Sequence, residues 1–195
     1  MRKVIFAINN TIDGNTDHTK GIADDELHDF YTDLLYDVDV ILMGRKTYQL
    51  MEGFWPIASE DARSTKSIIR FANIFNSMHK IVFSNTLKEV KWQNSQLSNR
   101  SLPKIISELK NQKGKNISAG SLSIATQLLK LNLIDEFWFV VHPIIAGKGK
   151  LLFDDFNERR NLKFIDLKKF NSGVVGLHYQ KMETIIPKHF EKKII

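Results

Sequence analysis

Short apolar runs rich in β-branched residues recur along this chain with amphipathic helical stretches between them, and that alternation constrains the fold more than any other feature. Val4 to Ile8 is the first run and reads as a buried strand ended by Asn9-Asn10. Asp24 to Tyr36 follows as a helix, with Leu27, Phe30, Tyr31 and Leu34 at helical spacing behind an aspartate cap. Val38 to Met43 is a second buried strand, and its exit, Gly44-Arg45-Lys46-Thr47, leads into a short helical stretch, Tyr48 to Met51. Glu60 to Asn76, with Ile68, Ala72 and Phe75 on one face, is an expected helix, and Lys80 to Phe83 a third strand. A helix behind Ser101, a very short strand from Ile117 to Ala119 and a helix from Leu122 to Leu131 continue the series. Strands and helices in alternation require crossover connections and therefore a mainly parallel sheet.

The pattern changes after Asp135. Phe137 to His142 reads as a strand, Pro143 to Lys150 as a loop, and Leu162 to Phe170 with Val174 to Met182 as a hairpin about Asn171-Ser172-Gly173. The expected architecture is α/β, a mixed sheet whose last strands run against the others. A chain of 195 residues that is 43% hydrophobic suffices for one core, here assigned to residues 1–183. Residues 184–195, with Pro187 and Lys192-Lys193, are expected to form a tail, either helical or packed on another subunit.

Composition removes several function classes. With no cysteine, a disulfide framework, a thiolate metal site and a cysteine nucleophile are all excluded, and a reducing cytoplasm is the natural compartment. Met1-Arg2-Lys3 precedes an apolar run too short for a signal peptide, and no run approaches the roughly 20 residues a bilayer requires. The histidines stand apart, without zinc-ligand spacing. Asp13, Asn15 and Asp17 imitate the start of a calcium loop, but His18 occupies the place that needs glycine. A net charge of +6 favours anionic partners, yet the lysines are spread along the chain without a basic stripe interleaved with aromatics, which argues against nucleic acid. A phosphorylated cofactor accounts for the charge as well.

The segment Val40 to Tyr48 carries the most chemical information. Its glycine permits a tight turn at a strand end, and the following helix offers unpaired N–H groups at its positive end, beside Arg45, Lys46 and the Thr47 hydroxyl. Taken alone, this is either a phosphate cradle or a solvated basic turn. Gly147-x-Gly149 has Leu152 where a dinucleotide fingerprint needs its third glycine, and reads as a tight loop.

Met43-Gly44-Arg45-Lys46-Thr47 after a hydrophobic strand resembles the cofactor segment of dihydrofolate reductases and of the reductase domain of the riboflavin deaminase-reductase. Ile8 to Gly14, Glu52 to Pro56, Lys80 to Leu87, Ser118 to Leu122 and Leu133 to Phe153 resemble further segments of that superfamily, in its order, so the likeness covers residues 2 to about 182. It implies a dihydrofolate-reductase-like three-layer fold with helices on both faces, NADPH as cofactor, a small-molecule substrate and, by analogy, a homodimer. It assigns Gly44, Arg45, Lys46, Thr47, Ser84 and Asn85 to the phosphates and adenosine end, and Ala119, Gly120, Ser121 and Leu122 to the pyrophosphate and nicotinamide. Asn9, Phe30 and Trp55 fall to the substrate, and Asp13 and Glu26 to orienting it or relaying a proton. Ala119 stands where the family has a glycine, and Asn15 where the riboflavin enzyme has a basic residue. The loop from Asn15 to Ala23 lacks the Pro-Trp pair of dihydrofolate reductases. The expected activity is hydride transfer to a heterocycle of the riboflavin-pathway type, 5-amino-6-(5-phosphoribosylamino)uracil; a dihydrofolate or pterin reductase and a non-catalytic nucleotide-binding module are the alternatives.

Overall fold

A computed structural model describes residues 1–182; the expected C-terminal tail lies outside the described residues. The chain runs β1 (Val4–Thr11), α1 (Asp25–Tyr36), β2 (Val38–Gly44), α2 (Arg45–Glu52), α3 (Lys66–Ser77), β3 (His79–Phe83), β4 (Ser95–Ser98), α4 (Leu102–Asn111), β5 (Asn116–Ala119), α5 (Leu122–Lys130), β6 (Glu136–His142), β7 (Leu162–Lys169) and β8 (Val175–Lys181). The strands form one sheet in the order β4-β3-β2-β5-β1-β6-β8-β7. Pairing is parallel from β4 through β6 and antiparallel at β6–β8 and β8–β7, so β8 alone runs against the rest. The closing hairpin is as expected, but β7 returns to the common direction.

The pleat sorts the core into two layers, because successive strand side chains point to opposite faces. Val4, Phe6, Val40 and Leu42 meet Leu102, Ile105 and Ile106 of α4 and Ile124, Ala125 and Leu128 of α5. Ile5, Ile41 and Met43 meet Leu35 of α1, Tyr48 of α2 and Phe75 of α3 on the other side. A smaller cluster, Leu27, Phe30, Val140, Phe170 and Val174, ties α1 to the hairpin. Each fully buried aliphatic or aromatic side chain contributes about 1.5–3 kcal/mol of transfer free energy.

The sequence does not anticipate β4, and three anticipated elements have other bounds than expected. β1 continues past Ile8 because Asn9, Asn10 and Thr11 pair with Val140, Val141 and His142 of β6, and sheet pairing outweighs the weak strand propensity of asparagine. The helix expected from Glu60 begins at Lys66, where Thr65 is the N-cap. α2 begins at Arg45, so the basic residues are its first turn and not a turn before it. Lys80, fully buried, donates from Nζ to the carbonyls of Asn76 (3.2 Å) and Met78 (2.8 Å) at the end of α3 and lies over the Trp92 ring.

Candidate active site

The parallel strands share an orientation, so their carboxyl ends gather along one edge, the place where open α/β sheets bind ligands. A cavity of about 860 Å³ lies there, lined by Phe83 from β3, Met43 and Gly44 from β2, Ser118 and Gly120 at the end of β5, Asn9 to Thr11 from β1 and His142 from β6. A second depression, about 700 Å³, is lined by Asn76, Ser77, Trp92 and Gln93 beside the amino ends of β3 and β4, away from this convergence.

One end of the large cavity is built from two helix starts. β2 and β5 are parallel neighbours, so α2 and α5 start from adjacent strand ends before passing to opposite faces of the sheet. Their turns are stitched together: the Gly44 N–H donates to Ser121 Oγ (3.0 Å), and the Gly120 N–H donates to the Leu42 carbonyl (2.9 Å). Neither helix has a side-chain N-cap hydrogen bond, which leaves first-turn N–H groups free to meet an anion. Arg45 and Lys46 occupy the first turn of α2, where a cation opposes the helix dipole by about 0.3–1 kcal/mol. Among the described residues neither forms an ion pair, and Arg45 reaches only Gln49 Oε1 at 3.3 Å. Two uncompensated cations at a helix's positive end suit a phosphorylated ligand. Both glycines let the two turns pack closely: a Cβ on Gly44 would stand 2.8 Å from Ser123 Oγ, and one on Gly120 would stand 2.6 Å from Ile41 Cγ1. These residues therefore fit a dinucleotide's phosphates.

The other end is a polar network on an aromatic wall. Asn9 Oδ1 accepts from the Tyr31 hydroxyl (3.0 Å) and lies 3.1 Å from His142 Nε2, while His142 Nδ1 accepts from the Ile22 N–H (2.9 Å). Burial pushes the His142 pKa down and holds the Tyr31 hydroxyl protonated by pushing its pKa up. Trp55 lines the cavity, backed by Phe71 at 4.5 Å between ring centroids, with the His28 ring at its edge.

Of the residues anticipated for cofactor and substrate, Gly44, Arg45, Lys46, Thr47, Gly120, Ser121, Leu122, Asn9 and Trp55 line this cavity. The others are placed elsewhere. Ala119 turns its side chain into the core between Ser118 and Gly120. Ser84 Oγ accepts from the Thr86 and Leu87 N–H groups and closes a turn, and neither Ser84 nor Asn85 reaches the cavity. Phe30 is buried against Trp138 and Phe170; one residue further round the helix, Tyr31 takes the cavity-facing position. The Asp13 carboxylate accepts from Thr11 Oγ1 and from the Ala146 and Gly147 N–H groups, and these bonds lower its pKa to about 2. Glu26 Oε2 accepts from the backbone and side-chain amides of Asn171. Both carboxylates fasten loops, and neither is among the residues that line the cavity. Sequence reasoning did not assign His28, Tyr31 or His142 to the site; His28 and Tyr31 share a face of α1 with Leu27, and His142 ends a strand on the cavity edge.

Among the described residues no helix is long and apolar enough to cross a membrane, and no group of three or more acidic or histidine side chains could hold a metal ion. A family profile for the RibD C-terminal domain matches residues 2–176. YyaP of Bacillus subtilis, described as uncharacterised, is 34% identical over 92% of this chain and 95% of its own length. Among solved structures, a Shewanella protein provisionally assigned to riboflavin biosynthesis superposes with a TM-score of 0.71 at 21% identity, covering 93% of this chain and 99% of that one. RibD of Acinetobacter baumannii superposes with a TM-score of 0.69 at 14% identity, over 93% of this chain and 58% of that one. The profile's match over residues 2–176 shows that the chain belongs to the RibD C-terminal domain family, a family of reductase-like proteins.

Proposed function

We propose that this protein is an NADPH-dependent oxidoreductase that reduces a small heterocycle of the riboflavin-pathway type. One observation carries the reading: two uncapped helix starts and two cations that form no ion pair among the described residues border a cavity whose far end is polar and aromatic. When bound, NADPH supplies a hydride. The chain's part is to hold and orient. N–H groups at the starts of α2 and α5 receive the pyrophosphate, Arg45 and Lys46 neutralise a ribose 2′-phosphate, and Trp55 with Phe71 walls the ring of the substrate. Asn15 is spent on the loop, donating to the Lys148 carbonyl at 3.3 Å, so it takes no substrate phosphate. Lys150, exposed at the rim of the same cavity, supplies that charge instead. The reading includes a cytoplasmic enzyme and a homodimer joined through β7, an edge strand that exposes Phe164, Ile165 and Leu167.

Oxidation of NADPH and of NADH, followed by absorbance with ribosylamino pyrimidines and with pterins, tests the proposal. Turnover with a pyrimidine and NADPH is expected. Absence of nucleotide binding by calorimetry at millimolar NADPH refutes it, and binding without turnover of any substrate leaves a nucleotide-binding module.

A further inference from the structure

The segment joining β1 to α1 walls the large cavity with Asn15 to Asp17 and again with Gly21 to Ala23. Its near end is fastened through the backbone: Asn15 bridges to Leu151, and the Thr16 N–H donates to the Lys150 carbonyl (2.9 Å). Its far end is fastened differently. Residues His18–Lys20 form one 3-10 turn with no buried side chain, capped by Asp17. Between Asp17 and Asp24, one hydrogen bond among the described residues reaches beyond the loop, from the Ile22 N–H to His142 Nδ1 at 2.9 Å. The imidazole packs under this stretch, where a Cβ on Gly21 would stand 3.2 Å from His142 Cε1.

A backbone N–H can only donate, so His142 Nδ1 carries a lone pair and the neutral ring keeps its proton on Nε2, toward Asn9 Oδ1 at 3.1 Å. The two contacts answer a second proton in opposite ways. An imidazolium still donates to Asn9, but it has N–H groups on both nitrogens, and turning the ring offers Ile22 only N–H or C–H, so no orientation restores an acceptor. The Ile22 amide then regains a partner only by turning out to water. Burial opposes the charge on His142, which is 1% exposed, while Asp24 at the start of α1 favours it; burial prevails and pushes the pKa below its ordinary 6.5. The other groups around the ring carry no charge: Asn9 from β1, the Tyr31 hydroxyl from α1, and Gly21 and Ile22 from the loop. Asp17 and His18 face each other at 3.8 Å on the loop itself, and neither they nor Lys150 at the rim is bonded to the imidazole.

We infer that His142 is a positioning residue whose neutral imidazole latches Gly21 and Ile22 onto the end of β6, and that protonation at Nδ1 releases this loop from the cavity wall. The depressed pKa belongs to the latched state, so the latch is complete above about pH 6.5 and weakens as pH falls below it, by roughly tenfold for the loss of one partly buried hydrogen bond. The inference concerns a wall of the site named in the reductase reading, and rests on that reading only for its consequence in turnover, a fall on the acid side with the midpoint of His142.

Nuclear magnetic resonance of the ligand-free protein tests the latch without cofactor or turnover. The His142 ring nitrogens and hydrogen exchange at the Ile22 amide, corrected for the intrinsic dependence of exchange on pH, are followed from about pH 7.5 to about pH 5. Protection at Ile22 is expected to fall about tenfold with the midpoint of His142, while the amides of β2 stay protected. His142→Asn sets its side-chain oxygen close to the place of Nδ1 and cannot take the proton, so it is expected to keep Ile22 protected across the whole range. Protection at Ile22 that does not follow the His142 titration, simultaneous loss across β2, or a His142→Asn protein that opens as the wild type does overturns the inference; if that variant does not fold, the agreement of the two wild-type midpoints decides. An intact coupled titration in a protein that binds no NADPH overturns the reductase reading alone.

Discussion

Replacing Gly120 with alanine distinguishes two reasons for a glycine at the mouth of the cavity. The residue could be small so that a ligand can approach the backbone, but the structure supplies another cause. An added Cβ would lie 2.6 Å and 2.7 Å from Cγ1 and Cδ1 of Ile41 and 3.2 Å from the Leu42 carbonyl, inside ordinary contact distance. Ile41 is buried on β2, so the strain falls on the β5–α5 turn, whose Gly120 N–H bonds to that same carbonyl. Overpacking of this kind costs about 1–3 kcal/mol, and at about 2–4 °C per kcal/mol for a domain of this size, Gly120→Ala is expected to melt about 2–12 °C lower. Ile41→Ala removes both opposing carbons at a cost of about 2–5 kcal/mol when made alone. Combined, the two changes are expected to cost about 1–2 kcal/mol less than their sum, because the new methyl fills part of the space vacated. Urea unfolding of the four proteins measures the coupling, and nucleotide calorimetry reads whether the helix start recovers with it. Additivity within about 0.5 kcal/mol would show that the packing argument is wrong, whereas recovered stability without recovered nucleotide binding would show that a ligand demands the glycine as well.

Arg45→Ala should weaken NADPH roughly tenfold to a hundredfold and NADH much less, since a charge-assisted contact to the extra phosphate is what disappears; equal losses for both in calorimetry would refute the assignment. Lys80→Met tests a buried ammonium whose pKa desolvation pushes down from its ordinary 10.5 to about 8. The folded protein releases this proton before the unfolded chain does, so the penalty is complete below about pH 8 and fades as pH rises toward about 10.5. Lys80→Met should therefore stabilise by no more than about 3 kcal/mol at neutral pH, with a shrinking advantage in alkaline melts, and a pH-independent difference would contradict the cause given. Asp13→Asn should speed hydrogen exchange at the Ala146 and Gly147 amides and leave the pH profile of turnover unchanged across neutrality; a shifted profile would restore Asp13 to the chemistry.

What the sequence makes legible is what neighbouring residues determine. The apolar runs of β1, β2 and β3 and the amphipathic faces of α1 and α5 follow from spacing over a dozen residues or fewer, and each of these elements forms where expected or close to it. β4 escapes because Ser95-Gln96-Leu97-Ser98 has little strand character and exists as a strand by pairing with β3. Asp13 and Glu26 mislead for a related reason. Their partners lie at 146–147 and 171, and nothing local to either carboxylate shows that a distant backbone amide already occupies it.

The same distinction divides the cavity. Its phosphate end is made of backbone N–H groups at strand-turn-helix junctions, and such a junction is written in one short segment: an apolar run, a glycine, then residues able to start a helix. Its substrate end is made of side chains from β1, α1 and β6, and it exists because the parallel register sets Thr11 beside His142 and brings that imidazole within reach of Asn9. Register depends on the whole sheet, so a one-residue slip of β1 against β6 would turn Asn9 to the opposite face and dissolve the network without altering a single local pattern. On the proposed function, substrate choice belongs to the assembled sheet, whereas nucleotide binding belongs to two short segments of sequence.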